Sequence, residues 1–338
     1  MRYWWVNQNK TFCQEIEGGY LWSPKRNKNS HRNPFYEFMR EVAPGDIVFS
    51  FCDTYISALG IVSGYCHESP KPEEFGNAGV NWSQIGWRVS VRWQRLANAI
   101  RPKDHIARLR PDLAGKYAPL TPDGNGLQSV YLTQVGATLA ATLFSLIGRE
   151  AASVADIGQK VSTIERDSPA PERDIEEWER RVETAIVTDP VIRETERTAL
   201  VQARRGQGLF RDNVRSIERA CRITKVERME HLIASHVRPW RDSSNEQRLD
   251  GENGLLLTPT VDHLFDKGFI SFEDSGQLIV SPVADPESLQ RMGVDPKGHL
   301  NVGAFSEGQR RHLDFHRENV LRMARGGNER TAASGRVR

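Results

Sequence analysis

Glu230-His-Leu-Ile-Ala-Ser-His-Val-Arg-Pro-Trp240, followed by Asn253-Gly-Leu-Leu-Leu257 and Asp262-His-Leu-Phe-Asp266, decides how this chain is read. An apolar strand carries His236 to a turn at Pro239. The polar run Arg241-Asp-Ser-Ser-Asn-Glu-Gln-Arg-Leu-Asp250 brings the chain back to Asn253, and a second short strand leads into a helix bearing Asp262 and Asp266. A hairpin followed by a helix therefore offers one imidazole, one carboxamide and a carboxylate to a common site. The set suits metal-assisted phosphodiester hydrolysis. An imidazole takes a proton from water near neutral pH. A carboxylate holds a hard divalent cation against a phosphate. An amide fixes a loop without titrating. Taken singly, each residue has a plainer reading: a turn histidine, an Asn-Gly turn, a helix-capping Asp. The spacing of all three carries the reading.

At these residues the chain resembles the HNH endonucleases, the ββα-metal nucleases. The closest pattern reads Ala-(Ala/Ser)-His-Ile-x-Pro-Trp, then Asn-Gly-Leu-Leu-Leu, then (His/Asp)-x-Leu-Phe-Asp-x-Gly. The resemblance implies that His236 is the general base and Asn253 the middle Asn. It also implies that Asp262, nine positions on, is a metal ligand, with Asp266 supporting the metal or the helix. Many relatives place an acidic or His ligand just before the base, where this chain has Ser235, a poor ligand. His231 falls five residues before His236, on the opposite face of an ideal strand, so a structural or DNA-facing role is expected. Upstream, Arg205-Gly-Gln-Gly-Leu-Phe-Arg211 and Cys221-Arg-Ile-Thr224 match the helix and first strand that precede such a site. The likeness runs over about residues 200–282. It implies one Mg²⁺, Mn²⁺ or similar ion per site.

The rest of the chain sets bounds. With 338 residues, 27% charged and 38% hydrophobic, two domains with separate cores are expected. No run reaches the ~20 apolar residues of a membrane span. Met1-Arg-Tyr-Trp-Trp-Val reads as a strand rather than a secretory leader. Cys13, Cys52, Cys66 and Cys221 share no CxxC spacing, so neither a structural zinc nor a disulfide scaffold is indicated, and a cytoplasmic setting is expected. The net charge of +2 hides an uneven distribution. Residues 190–248 hold thirteen Lys/Arg against eight Asp/Glu, and 310–338 hold eight against three, whereas 165–183 hold eight acids against four bases. Basic blocks around the site suit a phosphate backbone.

The first 148 residues read differently. Tyr3-Trp-Trp-Val6, Pro44-Gly-Asp-Ile-Val-Phe-Ser-Phe51, Tyr55-Ile-Ser-Ala-Leu-Gly-Ile-Val62 and Gly86-Trp-Arg-Val-Ser-Val-Arg-Trp93 read as short strands bounded by Gly and Pro, and a Gly18-Gly19 turn leads into Tyr20-Leu-Trp-Ser-Pro24. They suggest a small closed barrel with peripheral helices. In order and aromatic placement they resemble an EVE domain of the PUA-like superfamily, which implies a pocket holding a single, often modified, base. A base taken out of the stack needs an aromatic surface and polar edge readers. Trp22, placed on the loop where such pockets open, is the expected wall together with Phe51 and Trp82, and Asn7, Ser23 and Ser50 are the edge readers. Lys25, Arg26, Lys28 and Arg32, with Arg238 and Arg241 beside the nuclease motif, are expected on the DNA backbone.

The expected architecture is α+β. A PUA-like reader occupies 1–148, a linker and helix 149–195, an HNH domain 196–325, and a disordered basic tail 326–338. Two resemblances in one chain imply a type IV modification-dependent restriction endonuclease. Its expected partner is double-stranded DNA carrying 5-hydroxymethylcytosine or 5-methylcytosine, and it is expected to work as a homodimer. The alternatives are a non-catalytic reader of modified bases, or an HNH nuclease acting on unmodified DNA or RNA.

Overall fold

In the computed structural model every residue is described except Ser30, Gln128, 165–169 and 325–338, with side chains left undescribed from 159 to 174. The expected basic tail thus lies outside the described residues. The chain divides into two compact units, Met1–Ile175 and Glu176–Met323.

The first unit is a mixed sheet with helices. Its strands are β1 (Tyr3–Asn7), β2 (Tyr20–Pro24), β3 (Ile47–Cys52), β4 (Tyr55–Val62), β5 (His67–Pro70), β6 (Ile85–Ile100) and β7 (Leu132–Val135). They run in the order β2-β6-β4-β3-β1-β7, with β5 also on β6. Among the described residues only β1–β3 is a parallel pair. A buried carboxylate fixes that pair: Asp46 accepts from the Arg2 amide at 2.7 Å, the Trp4 indole at 2.9 Å and the Ala43 amide at 3.1 Å. The Pro44-Gly45 turn supplies this group one residue before β3, with Gly45 at φ 87°.

The sheet curls into a half-barrel that stays open. Among the described residues no ladder joins the outer strands β2 and β7, so the closed barrel expected from the strand count does not form. β7 is four residues long, and side chains bridge the gap instead. The Tyr131 hydroxyl accepts from the Trp22 amide at 3.0 Å and donates to Glu15 at 2.9 Å. Glu15 lies on helix α1 (Phe12–Gly18) and also accepts from Gln8 and Thr11. Burial pushes its carboxyl up to about 7, opposed by those three donors.

Helices α2 (Ala137–Ile147) and α3 (Arg149–Ile164) cover one face, burying Leu139, Leu143, Ala151 and Val154 against Trp5, Phe49 and Leu59. The span 149–195 therefore serves both units. Helix α4 (Ala170–Thr188) adds Val182 and Ile186 to the core of the second.

That second unit holds α5 (Glu194–Arg204), α6 (Gly208–Ile217), the hairpin β8 (Ile233–His236) and β9 (Gly254–Leu257), α7 (Pro259–Asp266), a hairpin β10 (Ile270–Phe272) and β11 (Leu278–Val280), and α8 (Glu307–Asn319). The expected strand at Cys221–Thr224 is a turn, and its Cys221 is buried. Phe210, Val214, Leu255, Leu257, Val261, Phe265 and Leu313 form the core beneath the β8–β9–α7 unit. Mixed helix and sheet in both units is the expected fold class.

Tyr131→Phe removes the donor to Glu15 and the acceptor of the Trp22 amide, leaving both buried groups short of a partner. Calorimetry should show a loss of ~1–3 kcal/mol in the first unit; an unchanged melting curve would mean that the bridge does not hold the open edges.

Candidate nuclease site

The hairpin register places His236 opposite Gly254, at the point where β8 ends. Gly254 has to be glycine: a Cβ there would lie 2.2 Å from Val214 and 3.0 Å from Phe210. The space this leaves is filled by ring stacking. Phe210 lies parallel to the His236 imidazole, with centroids 3.7 Å apart and planes within 2°. His236 Nε2 sits 3.0 Å from the Arg248 carbonyl oxygen. A carbonyl only accepts, so Nε2 carries the proton and Nδ1 keeps its lone pair. Burial lowers the imidazole pKa to about 4, and the ring is neutral at physiological pH.

Asn253 is wholly buried and satisfies the returning loop. Its Oδ1 accepts from the Arg238 amide at 2.7 Å, and Nδ2 donates to the Arg238 carbonyl, the Ser243 hydroxyl and the Gln247 carbonyl. One side chain thus closes the loop 238–247 on itself. A Ser244–Gln247 capping box starts the short helix Asn245–Leu249, which carries Arg248 back beneath His236.

Helix α7 begins at Pro259, as a helix N-terminus prefers, and shows Asp262 and Asp266 one turn apart. Burial raises the Asp262 pKa, and the neighbouring Ser235 hydroxyl opposes this. The same hydroxyl is buried and has no hydrogen bond of ordinary length. Asp266 is open to solvent yet crowded by protein on its other sides. Desolvation, then the charge of Asp262, pushes it to about 6, while Arg241 opposes the rise.

Among the described residues no group of three or more His, Cys, Asp or Glu is arranged to hold a metal. What α7 offers is a pair of carboxylates with the Ser235 hydroxyl beside the first. That set fits Mg²⁺, which takes one or two carboxylates and fills its octahedron with water and substrate phosphate. It does not fit zinc.

The arginines expected on DNA are engaged locally. Arg238 donates to the Asp242 carbonyl at 2.9 Å and lies over Phe315. Arg241 pairs with Glu179 at 3.2 Å and lies 5.7 Å from the Trp178 ring centroid. His231 is exposed in a turn ahead of β8, 3.5 Å from Glu230, so strand alternation does not reach it.

In the first unit the expected base-reading residues separate into groups. Trp22 is fully buried within β2, rather than on a loop, and stacks on Trp82 with centroids 6.1 Å apart and 27° between planes. Phe75 meets both edge-on, and Tyr20 completes the cluster. Gly86 makes room for this, since a Cβ there would stand 2.3 Å from the Trp22 ring. Ser23 alternates to the opposite face, beside Trp87 in the neighbouring strand; among the described residues its hydroxyl and the Trp87 indole N–H have no partner. Phe51 packs on Trp5 elsewhere. Asn7 accepts from the Trp5 indole and donates to the carbonyls of Leu127 and Val130, and Ser50 donates to Gln8. Lys25 turns inward to Glu68 and the Trp87 ring, whereas Arg26, Lys28 and Arg32 are exposed at the tip of the following loop.

Three contributors escaped the sequence reading. Phe210 sits in a quoted segment, yet nothing there signals a stacking partner. The Arg248 carbonyl is backbone and leaves no trace in residue type. Glu179 lies in what read as a linker helix.

A family profile described as HNH endonuclease matches residues 221–273. Comparison with curated protein sequences gives no match. Among solved structures, protein PSPTO5229 from Pseudomonas syringae is similar at 14% identity and a TM-score of 0.30, over 43% of this chain and 99% of that one. Protein Atu2648 from Agrobacterium tumefaciens is similar at 16% identity and a TM-score of 0.28, over 44% and 94%. The YTH domain of the Zygosaccharomyces rouxii MRB1 protein, in complex with N6-methyladenosine RNA, is similar at 14% identity and 0.28, over 43% and 86%. Among the described residues no helix is long and apolar enough to cross a membrane.

Burial also sets an acid limit. His236 at about 4 and His316 at about 3 lie below the ~6.5 of a free imidazole. Between those values the unfolded chain binds more protons, so their contribution is complete above ~6.5 and is lost as pH falls towards 4. The second unit should therefore melt progressively lower from pH 6.5 to 4.5, with a shallower slope in His316→Gln. Equal slopes in the two proteins would refute the linkage.

Proposed function

We propose that the chain is a modification-dependent endonuclease: the second unit hydrolyses DNA phosphodiesters, and the first reads a modified cytosine that has been turned out of the duplex. The observation that carries the nuclease half is the Arg248 carbonyl on His236 Nε2, which leaves Nδ1 as a base. The HNH match over 221–273 agrees with it.

His236 accepts a proton from the attacking water at Nδ1, and the Arg248 carbonyl steadies the imidazolium that forms. Phe210 keeps the ring in its plane. Asn253 holds the loop and does not titrate. Asp262 and Asp266 would hold a divalent ion, with Ser235 beside the first; such an ion supplies charge against the scissile phosphate and its leaving oxygen. The neutral state of His236 at pH 7 suits the role, because a base has to start unprotonated.

For the reader half, the stacked Trp22–Trp82 pair supports the aromatic reading. A flat base between two rings needs contact of ~3.5–4 Å on each side. A base with such contact on both sides needs ~7–8 Å between the rings, more than the 6.1 Å between centroids, so the loop bearing Trp82 has to yield when a base enters. The preferred substrates are 5-hydroxymethylcytosine or 5-methylcytosine in double-stranded DNA, read in the cytoplasm of a restricting cell. One ββα site cuts one strand, so double-strand cleavage calls for two protomers.

Matched duplexes bearing cytosine, 5-methylcytosine, 5-hydroxymethylcytosine or its glucosylated form, with Mg²⁺ or Mn²⁺, test both halves. Cleavage should be confined to modified DNA, and His236→Ala should slow it by at least ~10²-fold with binding retained. Near-normal cleavage by that variant would sink the base assignment. Equal cutting of all four duplexes would leave an HNH nuclease without a modified-base reader. Trp82→Ala should weaken binding to modified DNA by the ~1–3 kcal/mol of one stacked base, roughly 5- to 150-fold, without lowering affinity for plain DNA.

A further inference from the structure

The segment Arg248–Asn253 serves the site twice. Its first residue supplies the carbonyl that bonds His236, and its last is the loop-closing Asn253. Two side chains within the segment, Asp250 and Glu252, meet helix α8. Ser306, the N-cap of that helix, donates to Glu252. Two turns further, buried His312 brings Nε2 to 3.4 Å from Asp250 Oδ2.

The helix itself cannot slide. Gln309 donates to buried Glu218 at 2.7 Å. His316 donates from Nε2 to the Phe265 carbonyl at 3.0 Å, accepts at Nδ1 from Ser271 at 2.9 Å, and stacks on Phe265. Three polar side chains at positions 309, 312 and 316 thus form one inward stripe, each fixed to a different element. Of the three, only His312 grips the segment that fixes His236. It lies outside residues 221–273, so the HNH match does not account for it.

We infer that His312 is a positioning residue for His236: through Asp250 it holds the Arg248 carbonyl where His236 must keep its proton on Nε2. Asp250, Glu252, Arg238 and His236 are the charged or titratable groups that face His312. Burial lowers the His312 pKa, so at neutral pH it acts as an uncharged donor, with no switch of charge involved. The consequence for cleavage rests on the nuclease reading above; the consequence for the His236 tautomer does not.

Two measurements on the full chain separate these. Long-range ¹H–¹⁵N spectra report which His236 nitrogen is protonated in the absence of DNA, and single-turnover cleavage reports the rate. His312→Ala should move the His236 ring away from its pure Nε2–H form and slow cleavage by ~10–100-fold, the usual cost of losing a partner that orients a catalytic group. Affinity for DNA should not change. His312→Gln, which keeps a donor towards Asp250, should restore most of the rate. In an Asp250→Ala background His312→Ala should add little, because the two act in series. Arg311→Ala, exposed on the same helix, should change neither readout.

An unaltered His236 spectrum and rate in a folded His312→Ala protein would overturn the inference, as would full additivity with Asp250→Ala. If His312→Ala does not fold, His312→Gln and Asp250→Asn carry the same comparison. If the wild-type protein cuts no DNA, the nuclease reading fails and the spectra alone decide the positioning role.

Discussion

A buried imidazole facing a backbone carbonyl sets the requirements of the whole second unit. His236 gains a defined tautomer only if the Arg248 oxygen stays within hydrogen-bond reach, and that oxygen lies in the one-turn helix of the returning loop rather than in a strand. A loop of this length costs conformational entropy to fix, at ~1–2 kcal/mol per residue. The structure meets that cost with buried polar contacts. Asn253 closes one side of the loop, Arg248 donates to the Trp240 carbonyl and stacks on its ring, and α8 holds the far side. The apolar core supports the hairpin, but polar bonds aim the imidazole.

The carboxylates on α7 are held under the opposite principle. Asp262 and Asp266 repel each other in a crowded setting, and Arg241 does not fully offset this because it is shared with Glu179. Such a pair is poor at stabilising a fold and well suited to a cation that removes the repulsion when it binds. The nearby Ser235 hydroxyl, short of a partner, fits the same account. Full hydrogen bonding around His236 and unrelieved repulsion between Asp262 and Asp266 thus lie side by side in one region of the unit.

How much of this the sequence revealed depends on the kind of interaction. The strand–strand–helix order and the places of His236, Asn253, Asp262 and Asp266 along it were readable because particular side chains at a fixed spacing mark such a unit. The Phe210 stack, the Arg248 carbonyl and the His312–Asp250 contact were not, since a plate, a backbone oxygen and a long-range pair impose no local pattern. The same division holds in the first unit. Strict alternation marked the first half of β6, yet it could not show that Tyr131 would span an open edge. Nor did the placing of Trp22 on a loop, with Ser23 as its neighbour in one pocket, survive: alternate residues of a strand face opposite ways, so the two side chains cannot read the same base from within β2.

That separation constrains how any base can be read. If Trp22 and Trp82 are the stacking surfaces, the polar edge of the base must be met on the face of β2 that carries Trp22, which Ser23 does not share. Asn7 and Ser50 are in any case spent on Val130, Leu127, Trp5 and Gln8. Breaking such buried bonds to free a reader would cost ~1–3 kcal/mol for each group left unpaired, which would cancel the stacking gain. Edge recognition next to Trp22 therefore has to come from backbone groups or from the loop that carries Trp82. Discrimination between cytosine modifications would then lie in a loop's shape, and the strand side chains would serve to hold the aromatic floor beneath it.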